Sequence, residues 1–154
     1  MKNIHDWLNA YGASHQNPTN KLIHWLCVPA ITFTLLGLLS LIEFNFTEYY
    51  KINLAGIFII LAIIFYIRLS ISITLGMVLF SGWCIQIINI LESSYDSYEL
   101  FKIYIIVFII AWIGQFVGHK IEGKKPSFFD DLKFLLIGPA WLLSFIYNKI
   151  GIKY

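Results

Sequence analysis

The sequence predicts an all-α integral membrane bundle of four to five transmembrane helices with a short amphipathic N-terminal helix. Two observations carry that expectation. The 154 residues are 58% hydrophobic and 13% charged, with a mean hydropathy of +0.73, whereas soluble domains run about 45–50% apolar and about 25% charged. The chain also holds uncharged runs long enough to cross a bilayer, which takes about 20 residues. A soluble fold this small has too much surface to hide so much apolar matter. Composition therefore argues against a water-soluble globular domain and against a disordered chain. A net charge of +2 is far from the basic footprint that phosphate backbones select, so no nucleic-acid partner is expected.

The elements follow in order. Residues 1–20 are polar, with His5, Asp6, His15 and Asn17 where a signal peptide would be apolar. Ile4, Trp7, Leu8 and Tyr11 recur at helical spacing, which predicts a short helix lying at the membrane surface. Asn17-Pro18 reads as an N-cap followed by proline at the first helical position. Residues 22–42 contain no Asp, Glu, Lys or Arg and make a first span. Residues 43–51 form a polar loop whose aromatics (Phe44, Phe46, Tyr49, Tyr50) suit the bilayer interface. Residues 52–91 carry a single charge, Arg68, and divide into spans 52–67 and 70–91 with a turn near Arg68 and Ser70. A second polar loop, 92–102, precedes a fourth span at 103–119. The uncharged segment 134–148 contains Gly138-Pro139 and is short enough to span, re-enter or lie at the surface. Residues 1–154 are thus expected to form one membrane domain. Cys27 and Cys84 sit in apolar runs and read as small buried hydrophobes rather than a redox pair.

Orientation comes from counting charges. With four spans in place, Lys2, Lys21, Arg68, Lys120, Lys124, Lys125 and Lys133 share one side, against Lys51 and Lys102, plus Lys149 and Lys153 if the last segment spans. The positive-inside rule places the N-terminus in the cytoplasm. Ten Lys to one Arg and no transit or retention signal are compatible with a bacterial plasma membrane.

The four histidines are the informative residues. His24 opens the first span, His15 stands just before it, and His119 closes the fourth with Glu122 one turn later on the same face. An even number of crossings separates the two ends, so His15, His24, His119 and Glu122 can converge at one membrane face. Neutral imidazoles with one carboxylate suit Fe(II), Zn(II) or Mn(II), and an incomplete ligand set leaves positions for substrate. Asn20 lies one turn before His24 and Gln115 one turn before His119, where either could hold an imidazole N–H or a bound water. A histidine at headgroup depth is also accounted for simply as an amphipathic residue, and His5 is left with that reading. Four histidines are too few for a diiron centre of the histidine-box type. No G-x-S-x-G elbow supports a serine hydrolase, and no C-x-x-C-H site supports covalent haem. The spans lack the mid-membrane ionisable groups that mark a transport path. Haem held by His24 and His119 stays open.

At these residues the sequence resembles the membrane 2-hydroxy fatty acid dioxygenase family. The resemblance rests on Tyr11-x3-His15-x4-Asn20-x3-His24-x4-Pro29 and on Gln115-x2-Gly118-His119-x2-Glu122-x3-Pro126. It runs from Trp7 to about Trp141 and includes the stretch from Glu122 to Phe128 and the later Gly138-Pro139. It implies Fe(II)-dependent α-oxidation, in which a 2-hydroxy fatty acid is shortened by one carbon with O2. It marks His15, His24 and His119 as iron ligands, and Glu122 as ligand or orienting carboxylate. Cys27 departs from the glycine expected in that block, and Glu122 follows His119 by three positions where better-known members have four.

The implied chemistry suits the composition. A 2-hydroxy acid chelates a metal through carboxylate and hydroxyl oxygens, while its tail stays among the spans. Tyr11 is a candidate hydrogen-bond donor near the metal, or an ordinary interfacial tyrosine. Lys120, Lys124 and Lys125 are candidates for drawing in the substrate carboxylate, or simply positive-inside residues. Two other classes stay in view at this level. One is a non-catalytic multi-span protein with structural or metal-binding histidines, and the other is a zinc-dependent membrane lipid hydrolase.

Overall fold

The computed structural model describes residues 3–45, 51–123 and 134–154. Helix α1 (Ile4–Gly12) begins in a reciprocal cap between Asn3 and Asp6 and buries Ile4, Leu8 and Tyr11, the apolar stripe expected from the sequence. A turn leads to α2 (Pro18–Ser40), where the Asn17 side chain accepts from the Thr19 and Asn20 N–H groups and proline opens the helix. A short antiparallel hairpin follows, β1 (Glu43–Asn45) against β2 (Lys51–Asn53). It lies where a loop was expected, and it is a minor addition to an otherwise α-helical chain.

Helix α3 (Leu54–Ile67) is capped by Asn53, and α4 (Ile71–Glu92) by Ser70. The turn between them, through Arg68 and Ser70, falls where the sequence placed it. Helix α5 (Ser97–Ile121) corrects the expected boundary, since it starts inside the predicted 92–102 loop. Asp96 caps it by accepting from the Tyr98 and Glu99 N–H groups, and Glu99 favours the positive N-terminal end of the helix dipole. The charges of Glu99 and Lys102 lie within the helix and do not mark its end. Helix α6 (Ile137–Ile150) closes the chain with Gly151 in the left-handed region at its C-cap.

Among the described residues three helices, α2, α4 and α5, are long and apolar enough to cross a membrane, and α3 is a shorter apolar helix. Outward faces carry large exposed apolar side chains such as Leu26, Leu79 and Ile110, which suits a surround of lipid better than water.

Helices α2 and α5 run antiparallel along a seam of small residues. A Cβ on Gly37 would strike the Tyr104 ring at 2.6 Å, and one on Gly114 would strike Cys27 Sγ at 2.6 Å. One on Gly118 would collide with Asn20 Oδ1. Missing side chains let the two backbones approach, the usual device where lipid supplies no hydrophobic drive between helices. The Ser40 hydroxyl donates to Glu92 Oε1 at 2.6 Å, tying α2 to α4 at the end remote from the histidines.

The segment containing α6 packs at the other end. Trp141 meets Tyr11 and His15, Phe145 meets Trp25, and the Tyr147 hydroxyl donates to the Ser72 carbonyl. At 14 residues and a rise of about 1.5 Å each, the helix is some 21 Å long, short of the roughly 30 Å hydrocarbon core.

Candidate metal centre

Three separate pieces of chain bring the histidines together. His15 comes from the turn after α1, His24 from the second turn of α2, and His119 from the last turn of α5. All three are buried, at 1%, 0% and 5% exposure. One ligand atom from each lies within 4.8 Å of the others. The ring centroids of His15 and His24 are 4.2 Å apart, and each lies 5.1 Å from that of His119. The convergence expected from counting crossings is therefore present in the fold. His5 lies elsewhere, exposed, with its ring 5.4 Å from that of Tyr154.

Main-chain carbonyls set the tautomers. His15 Nδ1 lies 2.6 Å from the Tyr11 carbonyl, and His24 Nδ1 lies 2.9 Å from the Asn20 carbonyl. A carbonyl only accepts, so Nδ1 carries the proton in both rings and Nε2 carries the lone pair. In both cases the partner is the backbone oxygen four positions earlier. The sequence had pointed to the side chains of Asn20 and Gln115 instead. His15 Nε2 is buried and makes no hydrogen bond, a costly state for a polar atom unless something else takes its lone pair. Burial, with the nearby His119 adding to it, pulls the His15 pKa down to about 4 against the pull of the Tyr11 carbonyl and Glu122. The ring is thus neutral near pH 7, the form that ligates a metal.

Glu122 sits outside this group. Its Oε1 accepts from the Gln16 N–H at 2.7 Å, while Oε2 accepts from the Asn17 N–H at 2.9 Å and from Asn20 Nδ2 at 3.0 Å. Burial alone would raise this carboxyl, but the bonds from Asn20, Asn17 and Gln16 together hold it below the ordinary range. The carboxylate therefore ties the end of α5 to the turn that carries His15. Asn20 reaches the Ser14 carbonyl with the same amide group, at 3.3 Å, so the loop between α1 and α2 is held from both sides.

Aromatic rings close the site. Tyr11 stacks on His15 with centroids 4.1 Å apart and an interplanar angle of 15°, so it is an interior residue of the site. Trp141, which sequence reasoning missed, lies 5.3 Å from His15. Its only sequence signal was its position at the edge of the resemblance. Gln115 is buried and lines a cavity with Tyr11, Trp112 and Gly138. Lys120 is exposed, while Lys124 and Lys125 lie outside the described residues. Cys27 is half-buried and Cys84 fully buried.

Three buried imidazoles whose ligand atoms lie within 4.8 Å of one another fit a divalent transition metal such as iron or zinc. Comparison with known proteins points the same way. A family model described as "2-hydroxy-palmitic acid dioxygenase Mpo1-like" matches residues 1–150. A relative from Saccharomyces cerevisiae (strain ATCC 204508 / S288c), named 2-hydroxy-palmitic acid dioxygenase MPO1, is 29% identical over 153 residues, covering 98% of this chain and 83% of its own length. No solved structure matches the chain.

Proposed function

This chain belongs to the Mpo1-like family, and on that premise we propose that it is an iron-dependent dioxygenase that shortens a 2-hydroxy fatty acid by one carbon with O2. The observation that carries the reading is the buried group of His15, His24 and His119, which would hold the metal. Bound there, Fe(II) supplies electron exchange with O2 and open positions for oxygen donors. The conversion balances without a further reductant. The C1–C2 bond breaks, C2 passes from carbinol to carboxyl, C1 leaves as carbon dioxide, and O2 takes up the four electrons with formation of water.

The protein's own groups prepare that chemistry. The Tyr11 and Asn20 carbonyls orient two of the imidazoles. Tyr11 and Trp141 cover the His15 side of the site with apolar ring surface and so exclude water. Gln115, on the cavity wall one turn before His119, is placed to hydrogen-bond the substrate's carboxylate or hydroxyl. Lys120 stands exposed beyond His119, where a positive charge attracts a carboxylate from the interface. In this reading the chain is a single membrane domain of a bacterial plasma membrane, with its N-terminus and histidines on the cytoplasmic side.

Metal analysis tests the proposal. Protein purified anaerobically should carry about one iron per chain and consume O2 when given a 2-hydroxy acid. His15→Ala, His24→Ala and His119→Ala should each remain folded yet lose metal affinity by at least about 100-fold, more than the loss of an outer partner costs. Zinc as the only activating metal would favour the lipid hydrolase. Variants that keep both metal and activity would return the histidines to a structural role.

A further inference from the structure

Asn20, fully buried in the first turn of α2, touches all three chain segments that carry the histidines. Its side-chain Nδ2 donates at 3.3 Å to the Ser14 carbonyl, the oxygen of the peptide unit that leads into His15. The same nitrogen donates at 3.0 Å to Oε2 of Glu122, the C-cap residue of α5 just beyond His119. Its main-chain carbonyl takes the Nδ1 proton of His24 at 2.9 Å. Both neighbours of Nδ2 can only accept, so the amide is held with its nitrogen toward them and Oδ1 on the other side.

That oxygen is buried and makes no hydrogen bond. It lies against Gly118, the residue before His119. A Cβ there would collide with Asn20 Oδ1 and stand 3.3 Å from His24 Cε1. Glycine thus lets the last turn of α5 rest its Cα–H on the amide oxygen, a weak contact that recurs between closely packed helices. A methyl group at 118 would have to lift α5 from α2 or tilt the amide away from Ser14 and Glu122. A buried carbonyl that meets only a C–H is costly. Leucine has nearly the same shape and would avoid that cost, yet it could not hold Ser14 and Glu122.

We propose that Asn20 is the positioning residue that registers the three histidines. Its amide nitrogen fixes the His15 turn to the end of α5, and its oxygen, seated on Gly118, sets how closely His119 approaches His15 and His24. This role rests on the metal-binding part of the reading above for the use made of the three rings. Substitution of the side chain leaves the main-chain bond to His24 in place. The loss therefore falls on the relation among the rings and not on the tautomer of one.

Cobalt(II) binding to the full chain in detergent, measured by chelator competition and by its visible spectrum, reads that relation. Asn20→Ala should weaken Co(II) binding by about 10–100-fold, as loss of an outer partner does, and shift the visible bands. Asn20→Asp keeps the shape but trades both N–H donors for a carboxylate facing Glu122, and should lose at least as much. It carries the test where Asn20→Ala does not fold. Gly118→Ala should weaken binding when Asn20 is intact, but cost less than about threefold more in Asn20→Ala, because the oxygen it strikes is gone. Gly37→Ala overfills the same seam against Tyr104 at its remote end. It should lower the Tm yet leave Co(II) affinity within about twofold, since it shares no partner with the histidines. Imidazole NMR signals give a readout that needs no metal: Asn20→Ala should move those of His15, His24 and His119 together, and Gly37→Ala none of them. Wild-type affinity and spectrum in Asn20→Ala would overturn the role of Asn20 and leave the metal centre standing. Losses that multiply in the double variant would overturn the role of the oxygen. A wild type that binds no Co(II), with all three rings still moved by Asn20→Ala, would uphold the registration and remove the metal reading.

Discussion

At the end of α5, Glu122 commits both carboxylate oxygens to the chain segment that carries His15, through the Gln16 and Asn17 N–H groups and the Asn20 amide. An anion there also faces the positive end of α2. Glu122→Ala should therefore weaken metal binding by about 10–100-fold, the range for outer partners of a metal site, without changing helical content. Equal affinity in wild type and variant, measured by competitive chelator titration, would show that the clamp is irrelevant to the site. Glu122→Gln should recover part of the loss, because one carbonyl oxygen survives as an acceptor. The sequence made the three histidines legible because span counting alone brings their backbone positions to one face. The clamp was not legible in the same way: its acceptor was visible, but two of its donors are main-chain N–H groups, which leave no trace in residue identity.

The α2–α5 seam explains the most specific departure from the family pattern. Cys27 stands where glycine was expected, and Gly114 supplies the space that its sulfur fills. Gly114→Ala should destabilise the protein by about 1–3 kcal/mol through overpacking. Adding Cys27→Ala should return much of that loss, since the two positions share one contact and cannot be additive. Thermal unfolding in detergent across the four proteins reads the coupling, and additive losses would mean that the close approach is relieved elsewhere. Helix existence was legible here from uncharged runs, whereas helix ends were not. The start of α5 was missed because Glu99 and Lys102 were read as loop, although the first two turns of a helix capped by Asp96 accommodate both. The β1–β2 hairpin escaped because strands of 3 residues each are too short to show alternation.

For the whole molecule, the ties at its two ends say which termini lie together. Ser40 and Glu92 meet at one end, and the histidines gather the start of α2 and the end of α5 at the other. Single cysteines introduced at the exposed positions Thr19 and Lys120 should react with an impermeant thiol reagent from the same side, and one at Ser94 from the opposite side. Labelling of Thr19 and Lys120 from different sides would contradict the arrangement of spans. The segment 134–148 was the least legible, because length and apolarity do not separate a crossing from a cap. In the structure Trp141 and Tyr147 pack α6 against His15 and the start of α4. The span of chain that the Glu122 clamp closes also has a bearing on biosynthesis. Gln16 and Glu122 are 106 positions apart, so His15 and His24 leave the ribosome long before His119 exists. Two imidazoles alone make a weak and unselective trap. On the proposed reading the ligand set is complete only when α5 has docked on α2, so a metal would be acquired by an inserted, nearly finished bundle and not by the nascent chain.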